Sequence, residues 1–263
     1  MFAKLTIAEV LNERLHMFDN HKAVITPEMK QREMILVSNM EQQSKRSNTS
    51  CMILDLHLGM FTHVVSVHTD RLKYEMFNIS LGNNWGFSNK IYHDKDIRSI
   101  AESELRFYKR LMLLPPKQYK QLVMITVRRI KNKSEGCDLY LIRCNVVECD
   151  DNGLPWLIEM EIDLLTHFVE RVFTPMRQLF LLNECNNKII KRFENDNVDP
   201  LSKTERSVLI LKYQNLRSNK DIGFALNISM PTVKTHLQQI REKLCAPSSD
   251  MACTMAKMLR MFE

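Results

Sequence analysis

The chain has 263 residues, 44% of them hydrophobic and 26% charged, which suits one large or two modest soluble domains, each with its own core. No apolar run approaches the roughly 20 residues of a membrane span, and seven scattered cysteines without a CxxC pair argue against a disulfide framework or a zinc site. The net charge of +6 is lopsided: from Leu201 onward there are ten Lys/Arg against five Asp/Glu, which leaves only +1 for the first 200 residues. A compact basic tail on a nearly neutral body fits a nucleic-acid partner.

The start, "MFAKLTIAEVLNERLH", carries Glu9, Glu13 and Arg14 where a signal peptide needs an apolar core, which predicts a cytoplasmic protein with no membrane partner. Thr6–Glu9 is a capping box followed by apolar residues at helical spacing. "TPEMKQREMILVSNM" opens a second helix with Thr26 as cap and Pro27 in the first turn. Residues 1–45 therefore form a helical segment, closed by the polar stretch "EQQSKRSNTS", which reads as a linker.

From Cys51 the texture becomes β-rich, with a hairpin around Gly59. About fifty residues of mostly helical character follow. Three strand-like runs come next, divided by the turn signals "NKSEG" and "DDNG". Strands, helices and then a three-strand meander predict an antiparallel sheet with helices to one side, an α+β body over 46–170. His57, His63, His68 and His93 form no ligand pattern, and "HDKD" at His93–Asp96 reads as an acidic helix start. No glycine-rich phosphate loop, nucleophile motif or metal spacing is present, so no enzyme is expected.

"TPMRQLFLLNECNNKIIKRF" places Thr174 as cap and Pro175 at the first helical position. Val172, Met176, Leu179, Asn183, Asn186, Ile190 and Phe193 then recur three and four residues apart. The spacing predicts a linker helix over 171–198, either a short coiled coil or an amphipathic helix packed on its own sheet.

The tail, 199–263, reads as four short helices. Ser202 caps the first and Ser218 the second, "NKDIGFAL", which Asn227 ends in the left-handed conformation. Ser229 caps the third, where Pro231 falls in the first turn and its missing N–H costs nothing. Val233, Leu237, Ile240 and Leu244 form a core stripe, with Lys234, Thr235, Gln238 and Arg241 opposite. Two helices joined by a tight turn, the second with a cationic and amide-bearing outer face, make a helix-turn-helix at about 219–238. Lys suits guanine O6/N7, Gln suits adenine and Thr suits a thymine methyl; Arg241 is better placed for a phosphate.

At these residues the sequence resembles the DNA-binding domain of LuxR-type transcription regulators. The matches include Leu201, Glu205, Arg206, Val208, Leu209, Ile222, Thr232, Val233, Lys234, His236, Ile240, Lys243 and Leu244. The resemblance implies base contacts by Lys234, Thr235 and Gln238 and phosphate contacts by Lys220, Ser229 and Thr232. It also implies a structural His236 and a fourth helix that serves dimerisation. The chain departs from the pattern at Asn215 and Asn227, where the family has glycine, at an extra residue near Arg217, and at Gly223, where alanine is usual. Phe224 falls on an exposed face, available to the sensor body or a second subunit.

Residues from about Ser47 to Phe168 resemble a PAS domain, through "LDLHLGMFTHVVSVHTDRL", "IYHDKDIRSI" and the closing strands with "DDNG". That resemblance implies a sensor or dimerisation module with a pocket between sheet and helices, able to hold an unidentified small molecule as its cofactor or signal. The expected function is a sequence-specific DNA-binding regulator acting on double-stranded DNA as a homodimer, paired through the C-terminal helix and the linker helix. The alternative is a sigma-like protein or RNA-polymerase adaptor whose helix-turn-helix mainly contacts protein.

Overall fold

The computed structural model describes residues 6, 9, 10, 13, 23–68, 91–168, 176–214 and 218–263. Asn215, Arg217, Val172, Thr174 and Pro175 lie outside them. The capping box at Thr6 is formed: the Glu9 N–H donates to the Thr6 hydroxyl at 3.2 Å, and the Thr6 N–H to the Glu9 carboxylate at 2.6 Å.

Helix α1, Pro27–Ser47, begins where its cap predicts, with the Thr26 hydroxyl accepting from the Met29 N–H. It runs through the segment expected as a linker. Within "EQQSKRS" Ser44 is buried, as is Met40 just before it, while the other six residues are exposed, and the chain leaves the helix at Asn48 with φ 56°. Strands β1 (Ser50–Asp55) and β2 (Met60–Val65) form the first hairpin. The Asp55 carboxylate accepts from the N–H groups of His57 and Leu58, and Gly59 takes φ +64° to close the turn.

A 3-10 turn at Asp94–Asp96 then opens helix α2, Ile97–Met112, as the acidic motif suggested. The meander follows as β3 (Leu122–Lys131), β4 (Cys137–Cys149) and β5 (Pro155–Phe168), with turns at the two predicted signals. Two further strands, β6 (Met176–Leu182) and β7 (Ile189–Arg192), complete an antiparallel sheet of order β2-β1-β5-β4-β3-β6-β7. Two strands, helices and a three-strand meander give the PAS-like architecture.

Residues 176–192 correct the expected linker helix: they form a hairpin. β6 is buried on both faces, so period-two alternation is absent and its apolar residues fall by chance at helical spacing. Asn183 and Asn186, read as register-fixing positions, are turn residues. The Asn183 side chain accepts from the N–H groups of Cys185 and Asn186, and Asn187 adopts φ 56°. Beyond it, Asp196 receives Arg106 and Arg110 of α2 at 3.1 and 2.6 Å, which ties this hairpin back to the body.

Alternation along the strands supplies the sheet's two faces with different partners. On the inner face Met124, Tyr140, Ile142, Cys144 and Ile158 pack with Phe107, Tyr108 and Leu111 of α2. The outer face is divided. At the β1 end, Cys51, Ile53, Trp156 and Leu157 lie with Met29 and Met40 of α1. At the other end, Val123, Ile125, Val127, Leu139, Leu141, Met176 and Phe180 join one continuous apolar cluster with the C-terminal helices.

Candidate nucleic-acid interface

The tail folds into α3 (Lys203–Tyr213), α4 (Asn219–Leu226), α5 (Met230–Lys243) and α6 (Ser249–Met258), each with the serine cap or capping box that its sequence announces. Ser229 accepts from the Thr232 N–H, and Pro231 occupies the first turn of α5. Asn227 ends α4 at φ 53°. The turn between α4 and α5 is tight. The Ile228 N–H donates to the Gly223 carbonyl at 2.9 Å.

Gly223 answers a steric need that its place in a helix obscures. A Cβ there would stand 2.7 Å from the Ile228 carbonyl oxygen, a backbone atom that cannot swing aside. Because the clash is with backbone, overpacking in Gly223→Ala is expected to cost about 2–3 kcal/mol against a gain of roughly 1 kcal/mol in helix propensity, a net loss of about 1–2 kcal/mol. A urea titration that finds the variant as stable as the parent contradicts this.

Val233, Leu237, Ile240 and Leu244 are buried against Val208, Leu209, Ile222, Ala252 and Met255. Lys234, Thr235 and Gln238 are exposed on the opposite side of α5, with Ser229 exposed at its start and Lys220 exposed on α4. Thr232 and Arg241 are half-buried at the borders of that face, and the Arg241 Nε atom is buried without a hydrogen-bond partner. The seven residues singled out in the sequence thus line the α4–α5 unit from its capping turn to the last turn of α5. His236 is half-buried, its Nδ1 atom enclosed without a partner.

Local bonds refine this surface. The Thr235 hydroxyl donates to the Pro231 carbonyl at 3.2 Å, and the Ser229 and Thr232 hydroxyls lie 2.8 Å apart. The Gln238 amide nitrogen donates to the Glu242 carboxylate at 3.0 Å. Glu242 was missed in the sequence, although its spacing of four from Gln238 was the signal.

Glu205 ties α5 to the start of α3. It is 2% exposed, closes the capping box with the Ser202 N–H at 2.7 Å and receives Lys243 of α5 at 2.8 Å. Burial pushes this carboxyl up, but Lys243 and the Ser202 N–H and hydroxyl outweigh it and hold its pKa below the ordinary 4.5. Its stabilising contribution is therefore complete above pH 4.5 and is lost as pH falls through the lowered folded value. Glu205→Gln is expected to cost about 1–3 kcal/mol at pH 7 and to flatten the acid limb of the stability curve. An acid limb identical to the parent's would refute the assignment.

The domain is docked on the sheet. Arg192 of β7 donates to the backbone carbonyls of Arg260 and Glu263, Arg260 donates to the Asn187 carbonyl at 2.8 Å, and both guanidinium groups lie within 6 Å of the Phe180 ring centre. The recognition face of α5 remains exposed in this arrangement. Phe224, on α4, is 92% exposed.

A small cavity lies between the sheet and α2: about 30 Å³, room for about one water, lined by Leu54, Phe61, Glu104, Phe107, Tyr108 and Met124, among others. Beside it stands Arg128, 1% exposed, donating to the Tyr92 hydroxyl at 3.0 Å, Glu104 at 2.9 Å and the Thr126 hydroxyl at 3.1 Å. Burial opposes its charge, and Tyr92 and Glu104 restore it. The Nη2 atom of Arg128 is buried with no hydrogen-bond partner. Among the described residues no group of three or more His, Cys, Asp or Glu is arranged to hold a metal, and no helix is long and apolar enough to cross a membrane.

Two capped helices at a tight turn, a packed underside and an exposed cationic and amide-bearing helix define a helix-turn-helix DNA-binding domain, carried here on a PAS-like body. Residues 199–256 match the family of bacterial regulatory proteins, luxR family, and form a LuxR-type domain, the equipment of a regulator. Among solved structures the chain is similar to VqmA bound to DPO (11% identity, 86% of each chain covered, TM-score 0.34). It is also similar to the Vibrio cholerae VqmA dimer in the absence of target DNA (12% identity, 85% of this chain and 86% of that one, TM-score 0.35). A phage VqmA–DPO complex is similar at 12% identity over 84% of this chain and 90% of that one, with a TM-score of 0.31. No curated protein matches the chain significantly.

Proposed function

We propose that this protein reads a specific sequence in double-stranded DNA with α5 and that its PAS-like body controls when it does so. The observation that carries this reading is the exposed row Lys234, Thr235 and Gln238 above a fully packed core, on the second helix of a helix-turn-helix. In the major groove Lys234 donates to guanine, Gln238 pairs with adenine and Thr235 meets a thymine methyl. Lys220, Ser229, Thr232 and Arg241 meet phosphates and set the register.

Control through the body has two supports. The buried Arg128 guanidinium keeps an Nη2 donor without a partner beside a small cavity, and a small molecule with an acceptor group would engage it once the inner face opens to admit one. The outer sheet face that carries the DNA-binding domain belongs to the same strands, β3 and β4, that wall this cavity. A ligand preferring one arrangement of the two would shift the population of DNA-competent molecules. Pairing of two copies through α6 belongs to the same proposal; the face open to a partner there is Asp250, Thr254 and Lys257.

The test is selection of duplexes from a random-sequence pool by the full chain, with and without a small-molecule library. Enrichment of one sequence, in a two-fold repeat if the protein pairs, supports the reading. Recovery of unenriched DNA only would contradict it. The exposed Phe224 favours one rival, a helix-turn-helix that docks on RNA polymerase; it predicts polymerase binding that survives Lys234→Ala.

A further inference from the structure

We propose that Glu242 is a positioning residue for base choice: by holding the Gln238 amide in one of its two orientations, it makes the domain distinguish an A·T pair from the reversed T·A pair. This rests on the reading of α5 as the groove-facing helix.

Thr235, Gln238 and Glu242 recur three and four residues apart along the exposed side of α5, opposite Val233, Leu237, Ile240 and Leu244. The row thus ends in a carboxylate, an unfavourable group beside DNA phosphates unless it has work to do there. Its bond is specific in direction: the Gln238 Nε2 atom donates to Glu242 Oε1 at 3.0 Å. A carboxylate accepts and does not donate, so the flipped amide would set two acceptors against each other. The amide nitrogen is therefore the end turned toward Glu242, and the oxygen is the end turned away from it.

That choice matters because an amide reads adenine with both ends, accepting from N6 and donating to N7. Glu242 uses one of the two amide hydrogens, and the second remains to donate to N7 while the oxygen accepts from N6. With the amide fixed, the order of donor and acceptor along the groove is fixed, and A·T and T·A present that order reversed. The Thr235 hydroxyl, already committed to the Pro231 carbonyl, does not compete for the Gln238 oxygen. Between exposed side chains in water such a bond is weak, but it strengthens when the groove excludes solvent.

The experiment uses the full chain and a duplex selected by it. The base pair read by Gln238 is located as the position whose preference disappears in Gln238→Ala. Affinity is then measured for that duplex and for one with the pair reversed. The parent should discriminate about tenfold, in the range of a bidentate base contact. Glu242→Ala should reduce this to about twofold with an unchanged salt slope, Glu242→Gln should recover part of it because its carbonyl still accepts, and Glu242→Ala should have no further effect in the Gln238→Ala background. Tenfold discrimination retained in Glu242→Ala overturns the proposal. So does a change that persists without Gln238, which would make Glu242 a base reader in its own right. If Gln238→Ala alters preference at no position, the reading of α5 itself has failed, and that result is distinguishable from either of the others.

Discussion

Trp156→Ala lowers the stability of the PAS-like body by about 3–5 kcal/mol, the cost of emptying a fully buried aromatic site. Trp156 is 0% exposed and, among the described residues, is the largest of the fully enclosed side chains. It lies with Met29 and Met40 of α1, and the Lys30 ammonium sits 5.1 Å from its ring centre. Its indole N–H donates to the Asp55 carboxylate at 3.0 Å, the same carboxylate whose other oxygen closes the β1–β2 turn. Truncation therefore opens a cavity and strips a partner from a buried carboxylate. Trp156→Phe separates the two effects: it keeps most of the packing and should cost about 1–3 kcal/mol for the unpaired Asp55 oxygen. Guanidinium unfolding with a loss under 1 kcal/mol for the alanine variant would mean that α1 is not held through this site.

Lys234→Ala costs about 1–3 kcal/mol in binding to a selected duplex and relaxes preference at the base it reads, with the fold unchanged. Lys234 is exposed on α5 and makes no hydrogen bond or ion pair with a described residue, so its removal leaves no buried partner stranded. Electrophoretic or fluorescence titration reads the affinity, and repeat selection reads the preference. Equal affinity and an unaltered selected sequence would remove Lys234 from the base-reading set.

The C-terminal domain was legible in the sequence because its signals are local. Ser202, Ser218 and Ser229 each cap the helix they precede, and Asn227 takes the left-handed conformation that a helix end asks for. The meander was legible for the same reason, its turns being written in Asn, Asp and Gly. What could not be read depends on tertiary burial. β6 is covered on both sides, by α2's side of the sheet and by the DNA-binding domain, so it shows no alternation and imitates a helix. The polar end of α1 imitates a linker because only Met40 and Ser44 face inward. The surface that carries the DNA-binding domain is drawn from alternate residues of β3, β4 and β6, which no single stretch of sequence displays. Of the proposed site, Lys234, Thr235, Gln238 and Arg241 were visible as the outer side of a helix-turn-helix, while Lys220, Ser229 and Thr232 were implied by the resemblance to the LuxR-type pattern. The hydrogen bond that orients Gln238 and the carbonyl that forbids a side chain at Gly223 needed coordinates.

The central claim, that α4 and α5 hold the phosphates while α5 reads the bases, is tested most directly by binding over a range of salt concentrations to a selected duplex and to a scrambled one. The account predicts affinity that falls steeply with salt on both duplexes, with the selected one tighter throughout. Lys220→Ala should flatten the salt slope by about one while leaving the preference intact, and Lys234→Ala should erode the preference. Binding that ignores salt and does not distinguish the two duplexes would contradict the account and turn attention to a protein partner for the same helices.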